Sequence, residues 1–157
     1  MLLSRRHWLL LATAPVMPAR AHSALRDSER EIYRAINVQR GLYGLPELAW
    51  SDDLAYTARQ HSARMLTAGF FAHRDPVYGD IAQRISAAGV RWSHIAENIF
   101  KARGYPDMVA MSVVEWMYSP GHRRNILNEV FLETGVGVAI SRDKEYFITQ
   151  QFLLSPE

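Results

Sequence analysis

Three short segments of the chain carry the side chains best suited to chemistry. They are Phe71-Ala72-His73, Ala96-Glu97-Asn98-Ile99 and Trp116-Met117-Tyr118-Ser119-Pro120-Gly121-His122-Arg123-Arg124-Asn125. Their two histidines and one glutamate could line a small cleft. Two neutral imidazoles and a carboxylate can hold Zn²⁺ or another divalent cation and leave a position open for water. Without a metal, the same groups could serve as a general base and an acid pair.

His73 follows two phenylalanines and precedes Arg74-Asp75-Pro76, a sequence typical of a loop. Phe70 and Phe71 can anchor the backbone there while the imidazole points elsewhere. A loop histidine taken alone is more often a surface residue than a ligand, because loops are exposed by default. The case for His73 therefore depends on its partners.

Glu97 lies among Ile95, Ile99 and Phe100, which favour the protein interior. A buried acid is costly unless it is paired or binds something. Glu97 is either a structural acid that accepts hydrogen bonds from backbone amides or an arginine, or an acid of the cleft. Asn98 could tie the backbone in a similar way.

Ser119-Pro120-Gly121 predicts a short helix start before His122, with serine as the cap and proline in the first turn. This gives Ser119 a structural role. A nucleophilic serine needs an aligned base and an orienting acid, which no sequence rule supplies here. We therefore do not expect Ser119 to be catalytic.

Two other histidines are weaker candidates. His61 lies on a predicted helix whose Ala58 and Met65 mark the buried side, which favours a packing or helix-surface role. His94 follows Trp92 in a predicted loop and could lie at the rim of the cleft.

The secondary-structure elements that must position these residues are predicted to be mostly helices in the first part of the chain and mostly strands in the last part. Apolar periodicity predicts helices over 27–43, 52–69, 80–88 and from 106 onward, and strands over 96–100, 134–140 and 145–153. The last two strands are predicted to form a hairpin. This order indicates an α+β layered domain.

The first 21 residues have the three parts of a secretory signal peptide. Arg5-Arg6 precedes an apolar run that ends near Met17, and Pro18-Ala19-Arg20-Ala21 provides a cleavage site after Ala21. The segment Ser4 to Leu9 also resembles a twin-arginine signal. The apolar run of roughly ten residues is shorter than the roughly 20 that span a bilayer, so no stable membrane anchor is expected after cleavage. We expect an exported protein, periplasmic or extracellular.

The composition excludes several kinds of partner and of site. Residues 1–21 contain Arg5, Arg6, Arg20 and no acid, so their removal changes the formal charge from +2 to −1, and nucleic acid is not an expected partner. Removing 21 of the 157 residues leaves 136, enough for the single domain predicted over residues 22–157. The chain has no cysteine, which excludes disulfides, a thiol nucleophile and cysteine-ligated metals.

The predicted mature chain resembles the CAP superfamily of cysteine-rich secretory proteins, antigen 5 and pathogenesis-related 1 proteins (SCP-like domains), especially its compact bacterial members. The matching segments are the His73 loop, Glu97-Asn98-Ile99, Trp116 to Leu127 and Thr134-Gly135-Val136-Gly137-Val138-Ala139, in the family's order. The resemblance implies an α+β fold, a three-layer α-β-α sandwich with a central cleft.

In that family two histidines and two glutamates typically line the cleft, sometimes with a bound divalent ion. His73, Glu97 and His122 match three of these positions, and the resemblance makes the two histidines candidate metal ligands. The fourth position is Ser119 here, and Glu115 is expected on a different helix face. The missing acid lowers the negative charge of the site.

The resemblance names no single reaction, because one fold serves many functions. The leading hypothesis is an exported domain whose cleft binds a lipid, cell-wall or peptide ligand, with metal optional. The alternative is a zinc-assisted hydrolase or peptidase in which His73 and His122 hold zinc while Glu97 activates its water. A third is an interaction module that uses an outer surface.

Overall fold

The computed structural model describes residues 19–156 of the chain. Only the last three positions of the predicted signal peptide, residues 1–21, fall within this range, so that peptide and its cleavage stay predictions. The described residues form five helices and four strands: α1 (Ala19–Leu42), β1 (Ala49–Trp50), α2 (Asp52–Ala68), α3 (Ile81–Ala87), β2 (His94–Arg103), α4 (Met108–Tyr118), α5 (Pro120–Ile126), β3 (Glu133–Ile140) and β4 (Glu145–Leu154).

The four strands form one sheet in the order β1-β3-β4-β2. β1 runs parallel to β3, and the other pairs are antiparallel. β3 and β4 form the predicted terminal hairpin. β1 was not predicted, because a strand of two residues has no alternation to detect.

Helices cover both sides of the sheet, which confirms the predicted three-layer α-β-α sandwich. α1, α4 and α5 enclose the larger part of the core against one face. That cluster includes Ile32 and Ile36 of α1, Val113 and Trp116 of α4, Ile126 of α5, Val136 and Val138 of β3, and Ile148 and Phe152 of β4. α2 and α3 cover the opposite face, where the apolar clusters are smaller.

Two glycines let α2 lie directly on β3. A β-carbon at Gly135 would stand 2.2 Å from the backbone nitrogen of Ala55, and one at Gly137 would stand 2.1 Å from that of Arg59. Since residues two apart share a face of a strand, both gaps open toward the same helix. The glycine-rich strand therefore fixes how closely α2 approaches the sheet.

Capping residues set the helix ends near the site. Ser51 accepts a hydrogen bond from the backbone N–H of Leu54 at the start of α2, and α2 ends at Gly69, whose φ is 70°. α3 begins with a capping box between Asp80 and Gln83.

Within residues 19–156, no helix is both long and apolar enough to cross a membrane.

Candidate functional site

Glu97 occupies the middle of β2, opposite Gln151 of β4. Its neighbours two positions away, Ile95 and Ile99, pack in the clusters beneath α2 and α3. Because side chains alternate along a strand, the carboxylate faces the same side of the sheet. Glu97 is only 7% exposed, so every contact of its carboxylate matters energetically.

Four side chains surround the Glu97 carboxylate. Oε2 accepts hydrogen bonds from Nη2 of Arg84 at 2.5 Å and from Nε2 of Gln151 at 3.0 Å. Oε1 lies 3.1 Å from Nδ1 of His73 and 3.8 Å from Nε2 of His61. Glu97 is therefore the arginine-paired structural acid of the first alternative, and it also contacts a predicted cleft histidine.

Burial alone would raise the pKa of Glu97. The hydrogen bond from His73 and the positive charge of Arg84 act in the opposite direction, and the net pKa lies below the usual range. An ionised carboxylate only accepts hydrogen bonds, so Nδ1 of His73 is assigned as the donor. In neutral His73 this leaves the lone pair of Nε2 free, whereas both oxygens of Glu97 already accept hydrogen bonds.

Arg84, on the last turn of α3, was not identified from the sequence. Besides Glu97, its guanidinium donates to the backbone oxygens of His73 at 2.7 Å and Gly79 at 3.0 Å. One side chain thus neutralises the buried acid and holds the backbone of the histidine loop. The requirement that a buried acid needs a cation pointed to an arginine, but spacing along the chain did not show which one.

His61 is part of the site, although the sequence favoured only a packing or surface role. It is fully buried on α2, and Nε2 donates to the backbone oxygen of Ala72 at 3.0 Å. Burial, its largest influence, lowers the pKa of His61, so the ring is neutral at pH 7. Nδ1 has no hydrogen-bond partner within residues 19–156. His61 is therefore a buried packing residue, as predicted, but its ring also lies between Glu97 and the backbone of Ala72.

Asp75 orders the loop that carries His73. Its buried carboxylate pairs with Nε of Arg64 at 3.0 Å and accepts from the backbone N–H groups of Val77 and Tyr78. Burial raises the pKa of Asp75, but these partners outweigh it and lower the pKa to about 2. The loop is therefore held from inside by an ionised side chain.

The two phenylalanines before His73 differ in their contacts. Phe70 packs in the cluster around Met65, and its ring centre lies 5.9 Å from that of His61. Phe71 is 46% exposed. Phe70 is the anchor that the sequence predicted, whereas Phe71 is largely open to solvent.

His122 lies in the first turn of α5, and its ring centre is 6.5 Å from that of His73. Burial and then the neighbouring His73 lower the pKa of His122. Asn98 performs the predicted tying role, because its Nδ2 donates to the backbone oxygen of His122 at 3.2 Å and its Oδ1 accepts from Asn125 at 2.9 Å. The network brings β2 and α5 together beside the two imidazoles.

Ser119 sits at the predicted N-cap position of α5, but its hydroxyl makes no capping hydrogen bond. The sequence therefore predicted the N-cap position correctly, but the predicted capping hydrogen bond is absent. Glu115 is exposed on α4, away from the buried Trp116. His94 is the first residue of β2, exposed, and hydrogen-bonds to Ser93 rather than to the cleft residues.

The donor set near the cleft fits a three-ligand zinc centre poorly as it stands. In the described part of the chain, no three histidine, aspartate or glutamate side chains gather as a metal-binding group. Both oxygens of Glu97 already accept hydrogen bonds. A tetrahedral zinc ion with Zn–N bonds of about 2.0–2.1 Å would hold two imidazole centres about 5 Å apart. The rings of His73 and His122 would have to move closer together, and their metal-binding role stays a prediction.

Comparison with known proteins identifies the family. The sequence model of the cysteine-rich secretory protein family (CAP) matches residues 33–152. YkwD of Bacillus subtilis is 34% identical over 133 residues, which cover 85% of this chain and 49% of that protein. An outer surface protein of Borrelia burgdorferi shares the fold, with a TM-score of 0.74 at 18% identity over 83% of this chain and 94% of that chain.

An extracellular Bacillus anthracis protein with an SCP domain gives a TM-score of 0.76 at 33% identity, over 90% of this chain and 45% of that chain. The chain thus spans about half the length of this protein and of YkwD. The matched region includes His73, Glu97 and His122 and all four strands except the last two residues of β4. The chain belongs to the cysteine-rich secretory protein (CAP) family.

Proposed function

We propose that this CAP protein is exported and that its central cleft binds a ligand through His73 and His122. The observation that carries the proposal is the engagement of Glu97 by Arg84, Gln151 and His73. A carboxylate held in this way orients an imidazole more readily than it activates water. The leader pattern supports export, as does the Bacillus anthracis relative, which is described as extracellular.

The chemistry of the two imidazoles favours a polar ligand. The His73 side chain is 54% exposed and points one nitrogen away from Glu97, while the lowered pKa of His122 favours its neutral form. A neutral His122 ring can donate one hydrogen bond and accept another, and neutral His73 offers the lone pair of Nε2 as an acceptor. Among lipid, cell-wall and peptide ligands, these groups suit a cell-wall or peptide ligand better than a lipid chain.

A co-sedimentation experiment tests this proposal. Protein purified after export is mixed with purified peptidoglycan or with phosphatidylglycerol vesicles, as wild type and as the variants His73→Ala, His122→Ala and the matched control His94→Ala. We expect peptidoglycan binding that falls at least about tenfold in the first two variants and is unchanged in the control. Undiminished binding in the double variant His73→Ala/His122→Ala, or binding to vesicles alone, would contradict the proposal.

A metal-assisted hydrolase is a second candidate because His73 and His122 are neighbours, but their rings, 6.5 Å apart, would have to move closer to share an ion. These two side chains would hold a divalent ion such as zinc, which as a Lewis acid would supply polarisation of a bound carbonyl or water. Zinc titration and elemental analysis of wild type beside the double histidine variant test the ion. A hydrolase should lose turnover on chelation, whereas a binding domain should keep its ligand affinity after chelation.

A further inference from the structure

A cavity lies between α2, α3 and the loop around Asp75. Its volume is about 390 Å³, which is within the range of small-molecule sites. Neither His73 nor His122 lines it. His61 and Arg84, which both approach Glu97, form part of its wall. The cavity and the cleft therefore share the Glu97 network but present different residues to a ligand.

The charged side chains that line this cavity already have partners. Arg64 pairs with Asp75 at 3.0 Å, and Arg84 pairs with Glu97 at 2.5 Å. A charged ligand would have to compete with these pairs or leave its own charge uncompensated, which is costly away from water. The cavity therefore favours a ligand without net charge.

Besides Nε of Arg84 and Nδ1 of His61, which are buried without a hydrogen-bond partner within residues 19–156, the cavity offers neutral polar groups and aromatic rings. Tyr56, Gln60 and Arg64 follow one another at four-residue spacing and share one face of α2. Tyr56 is 56% exposed and Tyr78 is 60% exposed. The two phenol hydroxyls and the Gln60 amide make no hydrogen bond to any residue between 19 and 156. Arg64 stacks over Tyr78 at 5.1 Å and holds that ring in place.

We propose that this cavity binds a neutral saccharide of one or two rings. A pyranose has an apolar C–H face that can lie on a tyrosine ring and a rim of hydroxyls that can both donate and accept hydrogen bonds. Tyr56 and Tyr78 supply the aromatic surfaces, and Gln60 supplies a donor and an acceptor. This inference goes beyond the function proposed for the cleft and does not depend on His73 or His122.

An NMR titration of the ¹⁵N-labelled protein tests the saccharide site. The probes are N,N′-diacetylchitobiose and maltose as neutral sugars and glucuronate as the anionic one. We expect both neutral sugars to shift the amide signals of residues 56–64 and of Tyr78, with dissociation constants on the order of 1 mM. Tyr56→Ala and Gln60→Ala should each weaken binding, the first by about tenfold. Tyr118→Ala, which removes an 82% exposed tyrosine from α4, is the matched control.

The outcomes separate this site from the cleft. His73→Ala should leave the saccharide shifts unchanged even where it abolishes peptidoglycan binding. The proposal is overturned if neither neutral sugar shifts these signals at about 20 mM. It is equally overturned if Tyr56→Ala and Gln60→Ala both bind as wild type, or if glucuronate binds as tightly as the neutral sugars.

Discussion

The two faces of the β-sheet are covered by helices, but they are stabilised differently. Beneath α1, α4 and α5, thirteen buried hydrophobic residues form one continuous cluster around Trp116 and Phe152. Beneath α2 and α3, the apolar clusters contain only four and three buried residues. Between them lie the fully buried side chains of Thr149, Gln151 and His61 and the nearly buried Glu97. The first face supplies most of the apolar burial, and the second carries the hydrogen-bond network around Glu97.

The polar face is held by a chain of hydrogen bonds rather than by shape alone. Thr57 donates to Oε1 of Gln151 at 2.5 Å, and Gln151 donates in turn to Glu97. Ser62 bonds to Thr149 at 2.8 Å on the same face. Buried polar groups are stable only where their partners are present, so such a network fixes geometry. Damage to the apolar face, beneath α1, α4 and α5, should therefore reduce stability, whereas damage to the polar face, beneath α2 and α3, should also disorder the contacts of Glu97.

The largest effect is expected from truncating the apolar face at Trp116. The side chain is 1% exposed, and its Nε1–H donates to the backbone oxygen of Ile99. Trp116→Ala should lower the free energy of unfolding by about 3–5 kcal/mol. Urea denaturation measures the loss, with the exposed Tyr118→Ala on the same helix as control, expected within about 0.5 kcal/mol of wild type. Similar losses for both variants would refute the assignment of the main core to this face.

Breaking the ion pair on the polar face should have the next largest effect. Glu97→Gln leaves the guanidinium of Arg84 buried without a carboxylate, and we expect a loss of about 2–4 kcal/mol in unfolding free energy. Arg84→Gln should cost a similar amount for the same reason. The double variant should cost less than the sum, by an interaction energy of about 0.5–3 kcal/mol.

Urea denaturation of the four proteins completes this double-mutant cycle. His73→Ala provides a comparison, because its more exposed ring contributes a single hydrogen bond to Glu97, and its loss should be about 1 kcal/mol or less. Additive losses for Glu97→Gln and Arg84→Gln would mean that the two side chains do not stabilise each other, and the polar network would lose its central contact.

The sequence predicted the helices and strands better than the contacts of Glu97, for a physical reason. The short apolar run predicted a strand over residues 96–100, which contains Glu97, and helical periodicity predicted the helices that pack on the sheet. Arg84 and Gln151 reach Glu97 from 13 and 54 positions away along the chain. Partners at such distances follow from strand register and helix packing, which no local pattern specifies. The family resemblance selected the cleft histidines, but it did not reveal that Arg84 and Gln151 engage the acid.

A smaller effect is expected from protonation of His61. Its folded-state pKa lies below the ordinary 6.5, chiefly through burial, so the unfolded chain binds more protons as the pH falls below that value. Stability should therefore be full above pH 6.5 and decrease as the pH falls toward the folded-state pKa, by at most about 1.4 kcal/mol per pH unit for one proton.

Urea denaturation at a series of pH values from 7.5 to 5, in steps of about half a unit, measures this slope for wild type and His61→Gln. The variant should show a shallower slope. His122, whose pKa is also lowered, should leave some dependence in the same direction. His94→Gln is the exposed control and should retain the full slope. An unchanged slope in His61→Gln would show that this ring does not contribute to the acid sensitivity of the polar face.

The smallest effects on stability should come from the helix caps. These effects should again differ between the polar face and the apolar face. On the polar side, Asp80 and Gln83 exchange hydrogen bonds of 3.0 Å at the start of α3, the helix that carries Arg84. On the other side, Ser119 starts α5 without a capping bond. Asp80→Ala should therefore cost about 1 kcal/mol, and Ser119→Ala about 0.5 kcal/mol or less. Urea midpoints measure both. Equal costs would mean that the Ser119 hydroxyl caps α5 in solution, leaving it unavailable to the cleft beside His122.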